Sequence, residues 1–174
     1  PSIMALKNML THTQSLQSLS LSCGSVQRLE AIAVAAASSG LKKNTTLQEL
    51  TLLFPRGSRA NLSPILTSLC DHPLLRTLRL RVRLVDLTGL ETLLLSNNCK
   101  ITELEIDSFN GGPFPGMGLT QALASRPTLT KLRLCCCLLG RDEARLLRLA
   151  LCNIPSLQSL VLADQTLGCA EVAE

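Results

Sequence analysis

Six times along this chain a leucine or isoleucine is followed by two more, at the third and fifth places after it. This spacing constrains the fold more than any other feature. The copies are Leu16/Leu19/Leu21, Leu47/Leu50/Leu52, Leu75/Leu78/Leu80, Ile101/Leu104/Ile106, Leu129/Leu132/Leu134 and Leu157/Leu160/Leu162. Their first positions, 16, 47, 75, 101, 129 and 157, are separated by 31, 28, 26, 28 and 28 residues. A near-constant period of this size marks a chain built by stacking one supersecondary unit on the next.

The last two leucines of each copy alternate with other residues, which is the period of a strand. In the fifth copy Leu132 and Leu134 point inward, while Lys131, Arg133 and Cys135 point outward. One such strand cannot bury its apolar face alone, but six stacked copies form a parallel sheet with a continuous leucine core. Parallel neighbours need a crossover of about a dozen residues or more, usually a helix. The stretches between the copies are long enough to supply one. The expected fold class is therefore α/β: a right-handed βα superhelix of about six repeats, forming a single domain over residues 1–174.

The intervening sequence predicts the rest. Helices are expected over 1–13, 26–39, 63–70, 86–97, 119–125 and 142–152. Gly40 would stop the second of these, Ser63 and Pro64 would cap and open the third, and Asp86 would cap the fourth. Strands are expected over 75–82 and 101–107. Residues 109–118 carry Gly and Pro at too high a density for helix or strand, and they hold Phe109 and Phe114. The chain starts without Met, and its sixth repeat stops early without the polar cap a solenoid needs. Both ends read as cuts from a longer protein.

Composition excludes several classes. The net charge of +4 is mild and makes no case for nucleic acid, which calls for a clustered basic patch. No apolar run is long enough to span a membrane. No cofactor motif is present, and the glycine-rich segment lacks the Gly-Lys-Ser/Thr of a phosphate loop. The eight cysteines do not form a secreted disulfide framework, because the chain is too long and too leucine-rich to need one. They read as reduced, small hydrophobes in an intracellular, cytoplasmic protein. Asn44 and Asn61 fit a glycosylation pattern. Pro64 counts against the second, and Asn44 reads better as a turn residue ahead of a strand.

Cys137 at the ninth place of the fifth repeat, the recurring 28-residue step and the Asn44-Thr45-Thr46-Leu47 lead-in resemble the ribonuclease-inhibitor-like class of leucine-rich repeats. That class includes ribonuclease inhibitor, the sensor regions of intracellular nucleotide-binding immune receptors, ubiquitin-ligase substrate adaptors and a GTPase-activating protein. The ninth place is otherwise Gly24, Pro55, Arg83, Phe109 and Gln165, so the resemblance is to the class and not to one member. It implies a horseshoe with strands on the concave face, helices on the convex face and a protein ligand.

Aligning the repeats sets out what such a ligand would meet. The outward column between the last two leucines reads Ser20, Thr51, Arg79, Glu105, Arg133, Val161. Two places earlier it reads Ser18, Glu49, Thr77, Glu103, Lys131, Ser159, and two places later Ser22, Leu53, Arg81, Asp107, Cys135, Ala163. A basic, an acidic and a second basic strand should lie side by side, with Arg79–Glu105–Arg133 and Arg81–Asp107 as contacts. These charges have two readings. They are ladders that neutralise one another on a solvated face, or a docking surface whose pattern selects a partner. The candidate protein-binding residues are Glu49, Arg79, Arg81, Glu103, Glu105, Asp107, Lys131 and Arg133. Phe54, Phe109 and Phe114 are candidate exposed anchors. The oligomeric state is not readable.

Catalysis finds little support. His12 and His72 both fall where helix runs into strand, away from the sheet centre. Cys135, Cys136 and Cys137 are consecutive, so in a strand they alternate faces and cannot close on one ion; zinc ligands are typically spaced C-x2-4-C. The reading that remains is a non-catalytic protein-interaction module. Its rivals are a spacer without its own ligand and a GTPase-activating regulator acting through an arginine. Cys135, outward and beside Arg133, is also expected to be a redox-sensitive thiol.

Overall fold

A computed structural model describes residues 3–22, 27–54, 61–82, 88–108, 116–135 and 140–163. Helix and strand alternate throughout: α1 (Ile3–His12), β1 (Ser18–Ser22), α2 (Gln27–Leu41), β2 (Glu49–Leu53), α3 (Ser63–Ser68), β3 (Thr77–Val82), α4 (Thr88–Leu95), β4 (Glu103–Ser108), α5 (Gly116–Ala124), β5 (Lys131–Cys135), α6 (Arg141–Cys152) and β6 (Ser159–Ala163). The six strands form one open, parallel sheet in sequence order. The described chain is thus an α/β stack with a repeat-like architecture.

The register follows the sequence alignment. Leu19, Leu50, Leu78, Leu104, Leu132 and Leu160 lie side by side, as do Leu21, Leu52, Leu80, Ile106, Leu134 and Leu162. A slip of one residue would turn every leucine outward, so burial pins the pairing. Up to β5 these rows join Ile65, Leu66, Leu90, Leu94, Leu119 and Leu123 from the helices in one buried cluster. The core therefore lies between the sheet and a single layer of helices. It thins at the end: Leu160 and Leu162 are 43% and 45% exposed, and among the described residues no helix follows β6.

Several local expectations need correction. Gly40 does not stop α2, which runs through it to Leu41. Its role is close approach: a Cβ there would sit 2.6 Å from Leu10 Cβ on α1. Gly89 does the same for α4, where a Cβ would fall 2.6 Å from Ser63 Cα. Gly116, Met117 and Gly118 begin α5 and are not loop; Gly118 is held close to α4, where a Cβ would meet the Glu91 carboxylate. Ser63 is the first residue of α3 and not its cap; the Asn61 side chain accepts its N–H instead, at 2.8 Å. The third and fourth strands begin two residues later than expected, at Thr77 and Glu103. Asp86 lies outside the described residues.

Two strands, β2 and β3, are launched by a buried hook. Asn44 Nδ2 donates to the carbonyls of Leu10 (3.1 Å) and Thr13 (3.3 Å), in the preceding repeat. Its Oδ1 accepts from the N–H groups of Thr46 (3.1 Å) and Leu47 (3.0 Å). Asn44 is buried, so the turn reading holds and a glycan has no access. His72 stands at the matching place of the next repeat, and its Nδ1 accepts from Leu74 (3.4 Å) and Leu75 (3.2 Å). The same three-residue offset that seats Asn44 thus seats a histidine that accepts from the incoming strand, while its Nε2 lacks the bonds to the preceding repeat that Asn44 makes. Burial lowers the His72 pKa, and the Asn44 backbone carbonyl acts in the opposite direction.

Candidate functional site

The outward columns meet on the face of the sheet away from the helices, and the pairing fixes who stands beside whom. Glu49, Thr77, Glu103 and Lys131 form one row, and Thr51, Arg79, Glu105 and Arg133 the next. Leu53, Arg81, Asp107 and Cys135 form the third. The eight candidate residues Glu49, Arg79, Arg81, Glu103, Glu105, Asp107, Lys131 and Arg133 therefore share one surface.

Arg79 is its hub. Nη1 lies 3.4 Å from Glu49, Nη2 4.0 Å from Glu103 and Nε 3.6 Å from Glu105. One guanidinium, with its planar fork of donors, thereby ties three strands together. Glu49 and Glu103 flank Thr77 in register, so the Arg79 head spans that threonine, and Thr77 is buried although it points outward. Arg81 pairs with Asp107 at 3.4 Å, as expected.

The second expected contact is corrected in part. Glu105 does pair with Arg79, but its other partner is Lys131 at 3.5 Å and not Arg133. Arg133 is its direct neighbour and Lys131 its diagonal one. Both side chains are long enough to span to a neighbouring strand, and rotamer choice gives the carboxylate to Lys131. Among the described residues Arg133 forms no ion pair, and it is exposed. It lines a shallow cavity of about 140 Å³ with Thr51, Leu53, Arg79, Arg81, Glu105 and Asp107.

The face is balanced, with four cations against four carboxylates. The paired side chains are 24–54% exposed. At such exposure each pair contributes only about 0–1 kcal/mol. The ladders orient side chains more than they stabilise the sheet.

Two expected features of this face are overturned. Phe54 is not an exposed anchor: it is buried, and its N–H bonds the Arg81 carbonyl at 2.9 Å, one place beyond β2. Strand alternation carried one residue past Leu53 turns it inward. Cys135 is likewise buried and not an outward reactive thiol. It stands between Asp107 and Ala163, and so short a side chain does not reach past its neighbours. Phe109, Phe114, Cys136 and Cys137 lie outside the described residues.

Elsewhere, His12 ends α1 and is exposed, while His72 is buried in its turn, so neither reaches the sheet face. Burial, with Asp71 and Cys99 nearby, raises the Cys70 pKa and holds it as a thiol. Cys70, Cys99, Cys135 and Cys152 are free thiols. Among the described residues no three of His, Cys, Asp and Glu gather to hold a metal ion. No described helix is long and apolar enough to cross a membrane. The chain matches no known protein-family profile, and no curated protein matches it either.

Proposed function

We propose that this chain is a leucine-rich repeat stack of the ribonuclease-inhibitor-like class, and that it binds a protein partner on the open face of its sheet. On this reading the face is concave and belongs to a larger intracellular protein, as its ligand-sensing or substrate-recruiting region. The module is not catalytic. The observation that carries the reading is Arg133: an exposed guanidinium with no ion pair among the described residues, set beside a field of charges that hold one another in place. A pre-ordered charged field selects by repelling wrong partners, and an unpaired arginine is a frequent hot spot.

A second reading is favoured by the balance of the face. Ladders that neutralise themselves suit a spacer with no ligand of its own. The two differ in their response to Arg133→Glu, which breaks no ion pair among the described residues. Affinity capture from lysate, with wild type compared against Arg133→Glu, tests them. A partner held by wild type and lost with the variant supports binding at the sheet. A partner set unchanged by Arg133→Glu refutes binding at the sheet face, and no partner at all refutes it in favour of the spacer.

A further inference from the structure

The sheet face uses most of its charge on itself; the edge at which the strands begin does not. Lys42 and Lys43 lie in the turn before β2, Arg76 immediately before β3, and Lys100 three residues before β4. All four are exposed, and none forms an ion pair among the described residues. Asp71, which lines the same cavity as Lys42, accepts a hydrogen bond from Asn98 Nδ2 at 2.9 Å.

The backbone brings these cations together. Arg76 N–H donates to the Gln48 carbonyl at 2.9 Å, and Thr102 N–H donates to the Arg76 carbonyl at 2.8 Å. Three consecutive repeats therefore stand shoulder to shoulder there. Parallel strands are about 4.8 Å apart, so the patch spans roughly 10 Å along the stack, about one Debye length at ordinary salt. Arg76 and Lys100 stand on adjacent repeats at the strand starts, and Lys42 and Lys43 lie further back, in the turn that leads into β2, so the four cations form a line along this edge. Beside Lys42 opens a cavity of about 550 Å³, lined also by Asn44, Thr45, Asp71, His72 and Pro73 together with residues of α2 and α3. Its floor is the buried strand-launching turn, so its walls are preformed.

We propose that this edge is a second interaction surface, which binds an acidic, extended segment of another protein. The inference does not rest on the sheet-face reading. Charge complementarity asks for a polyanion, and the chain's composition argues for carboxylates over nucleic acid. Single-stranded nucleic acid is held by stacking on aromatic rings as well as by charge. This chain has no Trp, no Tyr and three Phe, of which Phe54 is buried in the core. An extended acidic peptide needs no stacking platform, and its carboxylates can follow the line from Lys42 to Lys100.

The test is the anisotropy of a labelled oligoglutamate peptide titrated with the chain. Saturable binding that weakens as salt rises is expected. K42E/K43E and R76E/K100E should each lower the affinity about tenfold or more, since each removes two attractions and adds two repulsions of the exposed kind. Arg148→Glu, an exposed charge reversal on α6 outside both surfaces, should leave peptide binding unchanged. The milder K42Q/K43Q should fall between wild type and K42E/K43E, and matched melting curves establish that every variant is folded. Absence of saturable binding overturns the proposal, as does binding indifferent to both charge reversals. Tighter binding of an oligothymidylate of equal charge also overturns it, because phosphate would then be the ligand class.

Discussion

Asn44→Ala would remove four hydrogen bonds at once. Two of the four abandoned backbone groups have somewhere to go: the Thr13 carbonyl and the Thr46 N–H belong to half-buried residues that water reaches. The other two belong to Leu10 and Leu47, both fully buried. An unsatisfied buried backbone group costs about 1–3 kcal/mol, so the substitution should destabilise the chain by about 2–6 kcal/mol. Against a typical domain stability of about 5–15 kcal/mol that is severe. A loss near the middle of the range lowers Tm by roughly 8–16 °C for a chain of this size. Urea denaturation gives the free energy, and hydrogen exchange at the Leu47 amide gives the site. Asn98→Ala is the control. Asn98 holds the same offset before Ile101 but is exposed, and its side chain bonds only Asp71 at the surface. It should cost less than about 0.5 kcal/mol. A cost below about 1 kcal/mol at Asn44, or equal costs at the two sites, would refute the argument that burial gives this asparagine its weight.

Further outcomes follow from the same geometry. Because the folded pKa of His72 lies below its ordinary 6.5, the unfolded chain takes up a proton that the folded chain resists. Stability should therefore be full above about pH 6.5 and fall as pH drops below it; His72→Asn, which keeps an acceptor for Leu74 and Leu75, should flatten that slope in a series of melts. Gly40→Ala should cost about 1–3 kcal/mol in urea denaturation, because its Cβ would be driven into Leu10. Glu105→Arg should lose its pairs with Arg79 and Lys131 yet lower stability by no more than about 2 kcal/mol, with an unchanged circular dichroism spectrum. In native alkylation read by mass spectrometry, exposed Cys152 should react well before buried Cys135.

What was legible in the sequence is what periodicity controls. The strand register could be written down because Leu50, Leu78, Leu104 and Leu132 must all face the core, and only one alignment allows it. The outward columns came with that alignment, and with them the sharing of one surface by Arg79, Glu105 and Arg133. Whether Glu105 would choose Lys131 or Arg133 was not legible, since the period positions backbones and not the ends of long side chains. Gly40 looked like a helix stop because the stretch shows a glycine after an apolar face; it does not show that Leu10, thirty residues earlier, needs the space. Phe54 could have been placed inward by extending the strand alternation one residue. Cys135 could not have been placed, because its burial depends on the side chains either side of it in neighbouring repeats.

The order of the strands bears on how the chain comes to be folded. Each strand pairs only with the strand before it and the strand after it, and each helix packs only on its neighbours in sequence. No described contact waits for a distant part of the chain. During synthesis β2 can dock on β1 once the intervening helix has left the ribosome, and each later repeat finds a finished template already in place. Asn44, which ties its turn to the repeat before, acts in this sequence as the latch that closes the step onto β2. Folding would then advance by accretion, one layer at a time, from the amino terminus onward.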